Sequence, residues 1–283
     1  MSIAAVIGAG SLGGAVAFKL AERDHFREVR LIDRSGGAAA GTALDIQQAG
    51  ALVPFATRVT AGTDVELALG ARLAIFADSA EPSEDRHRER TLATIRRLAR
   101  QDPALGFICA GPGDLPVVEL AVREGSTRWT QIVGSAPAAL ASAVRALVAL
   151  DLDRSPHDVS LTLLGIPPAD LVVPWSQVTM AGDAVDRRLG PNDLRRLERR
   201  IHRLWPPGPL SLASAAARVA EAIALGSSRI YCCSVTLSGE FGARERALVV
   251  PIRLGPPAGV CTAVPELLAQ ERLRVENALD LTA

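Results

Sequence analysis

The stretch Ile3-Ala4-Ala5-Val6-Ile7-Gly8-Ala9-Gly10-Ser11-Leu12-Gly13-Gly14 takes an apolar run of strand length into a glycine turn. Strong helix formers follow from Ala15 to Ala21, and a second apolar run, Val29 to Ile32, stops at the carboxylate of Asp33. Each glycine of the G-x-G-x-x-G spacing has a physical task. Gly8 turns the chain sharply off the strand, Gly10 lets backbone approach a pyrophosphate, and Gly13 lets the new helix pack against the strand it has left. The unsatisfied N–H groups and positive dipole end of that helix, at Ser11 and Leu12, would face the phosphate. Asp33 stands twenty residues past Gly13, where a carboxylate accepts both ribose hydroxyls of an adenosine and repels a 2′-phosphate. A tight strand-to-helix turn needs glycine for steric reasons alone. The strand before it, the helix after it and the acid at this distance favour a dinucleotide site for NAD over a purely structural turn.

Bulk properties narrow the remaining possibilities. The 283 residues are 48% hydrophobic and carry 31 basic and 31 acidic side chains, enough for one large or two modest cores. Zero formal net charge and 4% aromatics argue against a nucleic-acid binder, which needs a basic face or stacking platforms. Cys109, Cys232, Cys233 and Cys261 lack paired metal spacing and read as buried free thiols, with the adjacent Cys232 and Cys233 on opposite faces of a strand. No apolar stretch reaches the length of a membrane span, and the first apolar run leads straight into the glycine turn rather than a cleavage site. A soluble, cytoplasmic protein is expected.

Further along, Arg58-Val59-Thr60, Leu73 to Ala77, Leu105 to Ala110 and Gln131 to Gly134 read as short strands. Thr42 to Ala49, the run through Leu92, Ile95 and Leu98, and Val117 to Arg123 read as helices between them. Gly36 to Gly41 reads as a small-residue link. Such alternation calls for a parallel sheet covered on both faces. From Ala138 the pattern changes. Helices are expected over 138–150, 194–204 and 211–225, and strands over 159–164, 171–173, 229–237, 247–253 and 260–263, the last three as an antiparallel meander. A boundary near Ala136 divides the chain into residues 1–136, a doubly wound half, and 137–283, an α+β half.

Seven segments then resemble the lactate/malate dehydrogenase family in the correct order. These are the glycine turn with Leu31-Ile32-Asp33, Gly41 through Ala49, Thr60 through Asp64, Ile132-Val133-Gly134-Ser135, Asp170 through Pro174, Cys233-Ser234-Val235 with Gly239-Glu240-Phe241-Gly242, and Val250-Pro251-Ile252 with Leu254-Gly255. The resemblance implies an α/β fold, a Rossmann doubly wound parallel sheet followed by an α+β domain of the family's C-terminal type. It also implies NAD as cofactor, a small 2-hydroxy or 2-keto acid as substrate, and assembly as a homodimer or homotetramer. The implied cofactor residues are Gly8, Gly10, Ser11, Leu12, Gly13, Asp33, Phe76 and Ala77.

The family's catalytic positions are occupied by other chemistry. A histidine takes the hydroxyl proton in the family, an aspartate orients it, and arginines hold the substrate carboxylate. Those positions fall here on Pro168 for the histidine, and on Leu140 and Ala143 for the aspartate and one arginine. The family's N-P-V-D asparagine falls on Gly111, and Arg145 matches a residue of mainly structural role. Asp78 stands where a glycine backbone would meet the pyrophosphate, and Glu81 where a substrate arginine would stand. Arg88, flanked by Arg86 and Arg90, and Asp170 remain as substrate-side candidates, although the arginines also read as a solvated helix face. His25, His87, His157 and His202 read as surface residues, with His87 alone on an element able to fold over the cleft. The arginines of 193–204 read as a solvated face too, and the chain's end soon after Asn277 suggests a shortened final helix. No catalytic residue and no metal site is assigned. The expectation is an NAD-binding relative with degenerate or lost dehydrogenase activity, with an oxidoreductase using a re-built site as the alternative.

Overall fold

A computed structural model describes residues 2–77, 85–255 and 259–280. The first half alternates β1 (Ser2–Ile7), α1 (Ser11–Arg23), β2 (Phe26–Ile32), α2 (Gly36–Ala49), β3 (Arg58–Gly62), β4 (Leu73–Phe76), α3 (Asp85–Gln101), β5 (Gly106–Cys109), α4 (Leu115–Arg123) and β6 (Ile132–Gly134). The second half runs α5 (Ala136–Asp151), β7 (Val159–Ser160), β8 (Leu164–Ile166), β9 (Asp170–Val172), β10 (Thr179–Met180), β11 (Asp183–Ala184), α6 (Pro191–Ile201) and α7 (Pro209–Leu225). It closes with β12 (Ile230–Ser238), β13 (Arg244–Gly255), β14 (Gly259–Thr262) and α8 (Ala269–Asp280).

Strands β3-β2-β1-β4-β5-β6 lie side by side and pair in parallel. This is the order of a Rossmann sheet, and the chain changes direction across it between β1 and β4. The strands need both faces covered because they are apolar throughout: Ala4, Ala5, Val6, Leu73, Ala74 and Ile75 are fully buried. Val16 and Leu20 of α1 pack on one face with residues of α2 and α7, while Leu92, Ile95 and Leu98 of α3 and Val117 of α4 cover the other. The sheet does not stop at β6. Ser234 of β12 pairs antiparallel with Gly134, and β13, β8 and β9 extend the same sheet, with β14 on the far side of β13. The expected meander is therefore present as β12-β13-β14. A small second sheet joins β11, β10 and β7.

Three local differences from the sequence reading have physical causes. Gly36 to Gly41 is not a link but the first turns of α2. Ser35 caps it by accepting from the Ala38 N–H at 3.4 Å, and three consecutive alanines carry it forward. The single strand expected over 159–164 is split, because β7 pairs with β10 and the chain crosses to the main sheet only at Leu164. Cys261 is exposed rather than buried, since β14 lies at the margin of the sheet. Cys232 and Cys233 do face opposite sides and belong to different core clusters.

Candidate functional site

The carboxyl ends of β1 and β2 are locked together at the glycine turn. The Gly8 N–H donates to the Ile32 carbonyl at 2.8 Å, and the Ala77 N–H donates to the Ile7 carbonyl at 2.9 Å. Gly8 has φ of 106°, which favours glycine. A Cβ on Gly13 would stand 1.9 Å from the Gly8 carbonyl oxygen, so the turn exists only with glycine at that place. Helix α1 begins after Gly10 without a side-chain cap, leaving its first N–H groups turned outward beside the exposed Gly10 and Ser11. That cradle fits a phosphate.

Half-buried Asp33 accepts from the Ala9 N–H through Oδ2 and from the Ser35 N–H through Oδ1, both at 2.8 Å. Its carboxylate is thus fixed in direction, and each oxygen retains capacity for a second donor. Phe76 closes β4 with its ring 6.4 Å from that of Phe107, both buried on the face of the sheet covered by α3 and α4, whereas Leu12 and Ala77 are buried on the face covered by α1, α2 and α7. A cavity of about 480 Å³ opens on the other side of the turn, between α1 and α2. Gly10 and Ser11 line it together with Gly14, Phe18, Thr42 and Asp45, whereas Leu12, Gly13, Asp33, Phe76 and Ala77 do not.

The substrate-side positions are built from apolar groups. Leu140 has 0% exposure and packs with Leu161, Leu163 and Val249, and Ala143 is half-buried on the same helix. Gly111 is buried and donates its N–H to the Asp114 carboxylate at 2.7 Å. Pro168 sits exposed in the turn between β8 and β9. Gly165 at the root of this hairpin has φ of 95°, and a Cβ there would lie 2.0 Å from the Asp170 carbonyl oxygen. Asp170 is half-buried at the start of β9, paired with Ile166.

Arg88 lies on the first turn of α3 and its guanidinium bonds to Asp85 at 2.5 Å, an exposed i,i+3 pair on its own helix. Arg88 is thus engaged on its own helix rather than with Asp170, and Asp78 and Glu81 lie outside the described residues. Burial pushes the thiols of Cys109, Cys232 and Cys233 up from the ordinary cysteine range, and the Asp114 charge adds to the effect at Cys109. These three are poor nucleophiles. Among the described residues no group of three His, Cys, Asp or Glu side chains could hold a metal ion. Among them, too, no helix is long and apolar enough to cross a membrane.

His25 pairs with Glu221 at 3.0 Å, and His157 is exposed. His202 is exposed as well, but its Nδ1 lies 2.6 Å from the carbonyl oxygen of Pro168. Sequence reasoning missed this contact. The two residues are 34 apart in the chain, and nothing in the local pattern of either one points to the other.

The parallel sheet in this strand order, the glycine turn and the antiparallel extension define a Rossmann-type α/β protein. No family model matches the chain. It is 30% identical over 270 residues to the malate dehydrogenase of Thioalkalivibrio sulfidiphilus, a match spanning 89% of this chain and 87% of that one. The malate dehydrogenase structure from Salinibacter ruber superposes with a TM-score of 0.88 at 24% identity, over 99% of this chain and 94% of the other. The minor L-lactate dehydrogenase structure from Enterococcus mundtii also gives 0.88, at 22% identity, over 99% and 96%. The chain belongs to the lactate/malate dehydrogenase family.

Proposed function

We propose that this protein binds NAD at the glycine turn and has degenerate or lost 2-hydroxy acid dehydrogenase activity. The observation that carries the second part is Leu140, fully buried in an apolar cluster beside Ala143, with Pro168 as the third altered position. None of the three has a titratable or anion-binding side chain. Losing one general base costs about a hundred- to ten-thousand-fold, and here its orienting partner and a carboxylate anchor are missing too. The cofactor part rests on the Gly13 approach to Gly8, the uncapped start of α1 and the fixed Asp33 carboxylate. When bound, NAD would supply hydride-transfer capacity. The chain's own contribution is to cradle the pyrophosphate with the Ser11, Leu12 and Gly13 backbone and to accept the ribose hydroxyls at Asp33, with Phe76 and Ala77 flooring the crevice.

In this reading residues 1–136 form the nucleotide domain and 137–283 the substrate-type domain, in a cytoplasmic homodimer or homotetramer. The test is an NADH fluorescence titration followed by assays with oxaloacetate, pyruvate and other 2-keto acids. Saturable NADH binding with no turnover is expected. Turnover above about one per second, within the ordinary enzyme range, would overturn the loss of activity.

A second reading, an NAD-dependent oxidoreductase acting on a small substrate through a re-built site, is favoured by the His202–Pro168 contact. Arg88 and Asp170 support it less, because Arg88 is engaged on its own helix.

A further inference from the structure

Helix α6 turns its apolar residues inward and its arginines outward. Leu197 and Ile201 have 0% and 2% exposure, and Leu194 and Leu204 pack against the same cluster. On the opposite side Arg195 and Arg199 stand four residues apart, and the short turn His202–Leu204 carries the row on to Arg203. All three are exposed. Residues 187–203 hold seven arginines and two acids, a surplus of five in a chain of zero net charge.

Three acids approach α6, and each is spent elsewhere. Asp151, its side chain only 10% exposed, takes Arg196 at 3.1 Å and Arg200 at 2.6 Å. Asp193 faces Arg196 at 3.6 Å and accepts from the Gly190 N–H at 3.3 Å. Glu198 accepts from the Trp175 indole and from Arg274 on α8. The row itself is left with one sign. Among the described residues Arg195 bonds only to the neutral Asn192 side-chain oxygen, at 2.6 Å, and Arg199 and Arg203 make no hydrogen bond or ion pair. Like charges four apart destabilise a helix. A face that served solvation alone would gain from mixed signs, whereas an anion laid along this row relieves its repulsion.

Residues four apart on a helix are separated by about 6 Å, close to the ~6.6 Å between alternate residues of an extended chain. Each guanidinium fork matches one carboxylate in bidentate fashion. The row carries no aromatic side chain on which a base could stack. With Leu194, Leu197, Ile201 and Leu204 packed inward, it also has no apolar side chain to press into lipid. We propose that Arg195, Arg199 and Arg203 form a docking surface for an extended acidic segment of a partner protein, with carboxylates on alternate residues. The contact is made by exposed charges, so it is salt-sensitive. It stands independently of the NAD-binding reading.

Fluorescence anisotropy of a dye-labelled peptide in which glutamate alternates with serine tests it on the full chain. Saturable binding at low ionic strength is expected, weakening as salt is raised and absent for the same peptide with glutamine in place of glutamate. Arg199→Glu breaks no pairing, and should weaken binding by about tenfold or more while leaving the urea midpoint near that of the parent. Arg218→Glu, at an exposed place on α7, should bind as the parent does. No saturable binding at low salt, an Arg199→Glu variant that binds like the parent, or equal loss in both variants overturns the proposal. So does tighter binding of an RNA oligonucleotide or of anionic vesicles that Arg199→Glu abolishes, because the row would then belong to phosphates.

Discussion

Ala9 and Asp33, 24 residues apart, are joined by a 2.8 Å hydrogen bond from the Ala9 N–H to Oδ2 of the carboxylate. One side chain thereby ties the glycine turn to the end of β2 and sets its own direction toward a ribose. Asp33→Asn removes the charge and one acceptor. Hydrogen bonds to charged groups contribute about 1.5–3 kcal/mol, so NADH affinity should fall by about ten- to a hundred-fold. The 2′-phosphate of NADPH loses its repulsion at the same time, and the NADH-to-NADPH preference should narrow. Fluorescence titration of both cofactors checks this. An unchanged preference would remove Asp33 from the adenosine site.

Gly13→Ala places a methyl 1.9 Å from a backbone oxygen that cannot rotate away. Overpacking of this kind costs about 1–3 kcal/mol or more, and here it pushes the start of α1 off β1. Gly37→Ala is the matched control, because a Cβ there meets nothing within 4 Å inside α2. That change should stabilise the protein by about 0.5–1 kcal/mol. Urea midpoints of the two variants should move in opposite directions.

Much of this fold was legible because its signals are local. The run Leu73-Ala74-Ile75-Phe76 has to be a buried strand, and the Gly8–Gly13 spacing has to be a tight turn, whatever surrounds them. The strand at 159–164 was not legible in its true form, since its division depends on β10, some twenty residues away, competing for Val159 and Ser160. Gly36 to Gly41 misled because glycine lowers helix propensity, whereas the Ser35 cap and tertiary packing decide the outcome. The candidate site divides the same way. The glycine turn and Asp33 belong to one βαβ unit, but the meeting of His202 with Pro168 is a tertiary event without a sequence period.

Thiol chemistry separates the four cysteines. Cys261 is exposed, whereas Cys109, Cys232 and Cys233 are buried with their thiols pushed up by desolvation. A thiolate-directed reagent should label one site per chain in the native state and all four only after unfolding. Mass spectrometry after brief exposure reads both number and position. Early labelling at Cys233 would contradict the packing of β12.

Asp24 gives a pH signature at the opposite end of α1 from the site. Its carboxylate accepts from the Ala56 N–H at 2.9 Å, and from the Thr57 hydroxyl at 2.9 Å and N–H at 2.8 Å. The Ala56 bond first, then the Thr57 bonds, hold it below the ordinary aspartate value of 3.8. A depressed folded value means that the carboxylate's stabilisation is fully present above the unfolded value and lost as pH falls through the folded one. In Asp24→Asn the stability difference from the parent should therefore be constant near neutrality and shrink below about pH 4. Urea melts across that range test it, and a difference that grows on acidification would reverse the sign.

Restoring the family's catalytic set tests whether Leu140 is a vacant functional position or has become part of the core. Pro168→His alone should give no malate turnover, because the new imidazole would have neither an orienting carboxylate nor an anion anchor nearby. Leu140→Asp should then make matters worse rather than better. Leu140 is fully buried in an apolar cluster with Leu161, Leu163, Cys232 and Val249. An uncompensated buried charge costs about 3–5 kcal/mol, and the lost leucine packing adds to it. The double variant should consequently show a urea midpoint well below that of Pro168→His and still no oxaloacetate reduction. If it instead kept its midpoint and gained turnover, the space around Leu140 would be a polar pocket in waiting, and the conversion of this site into core would be wrong.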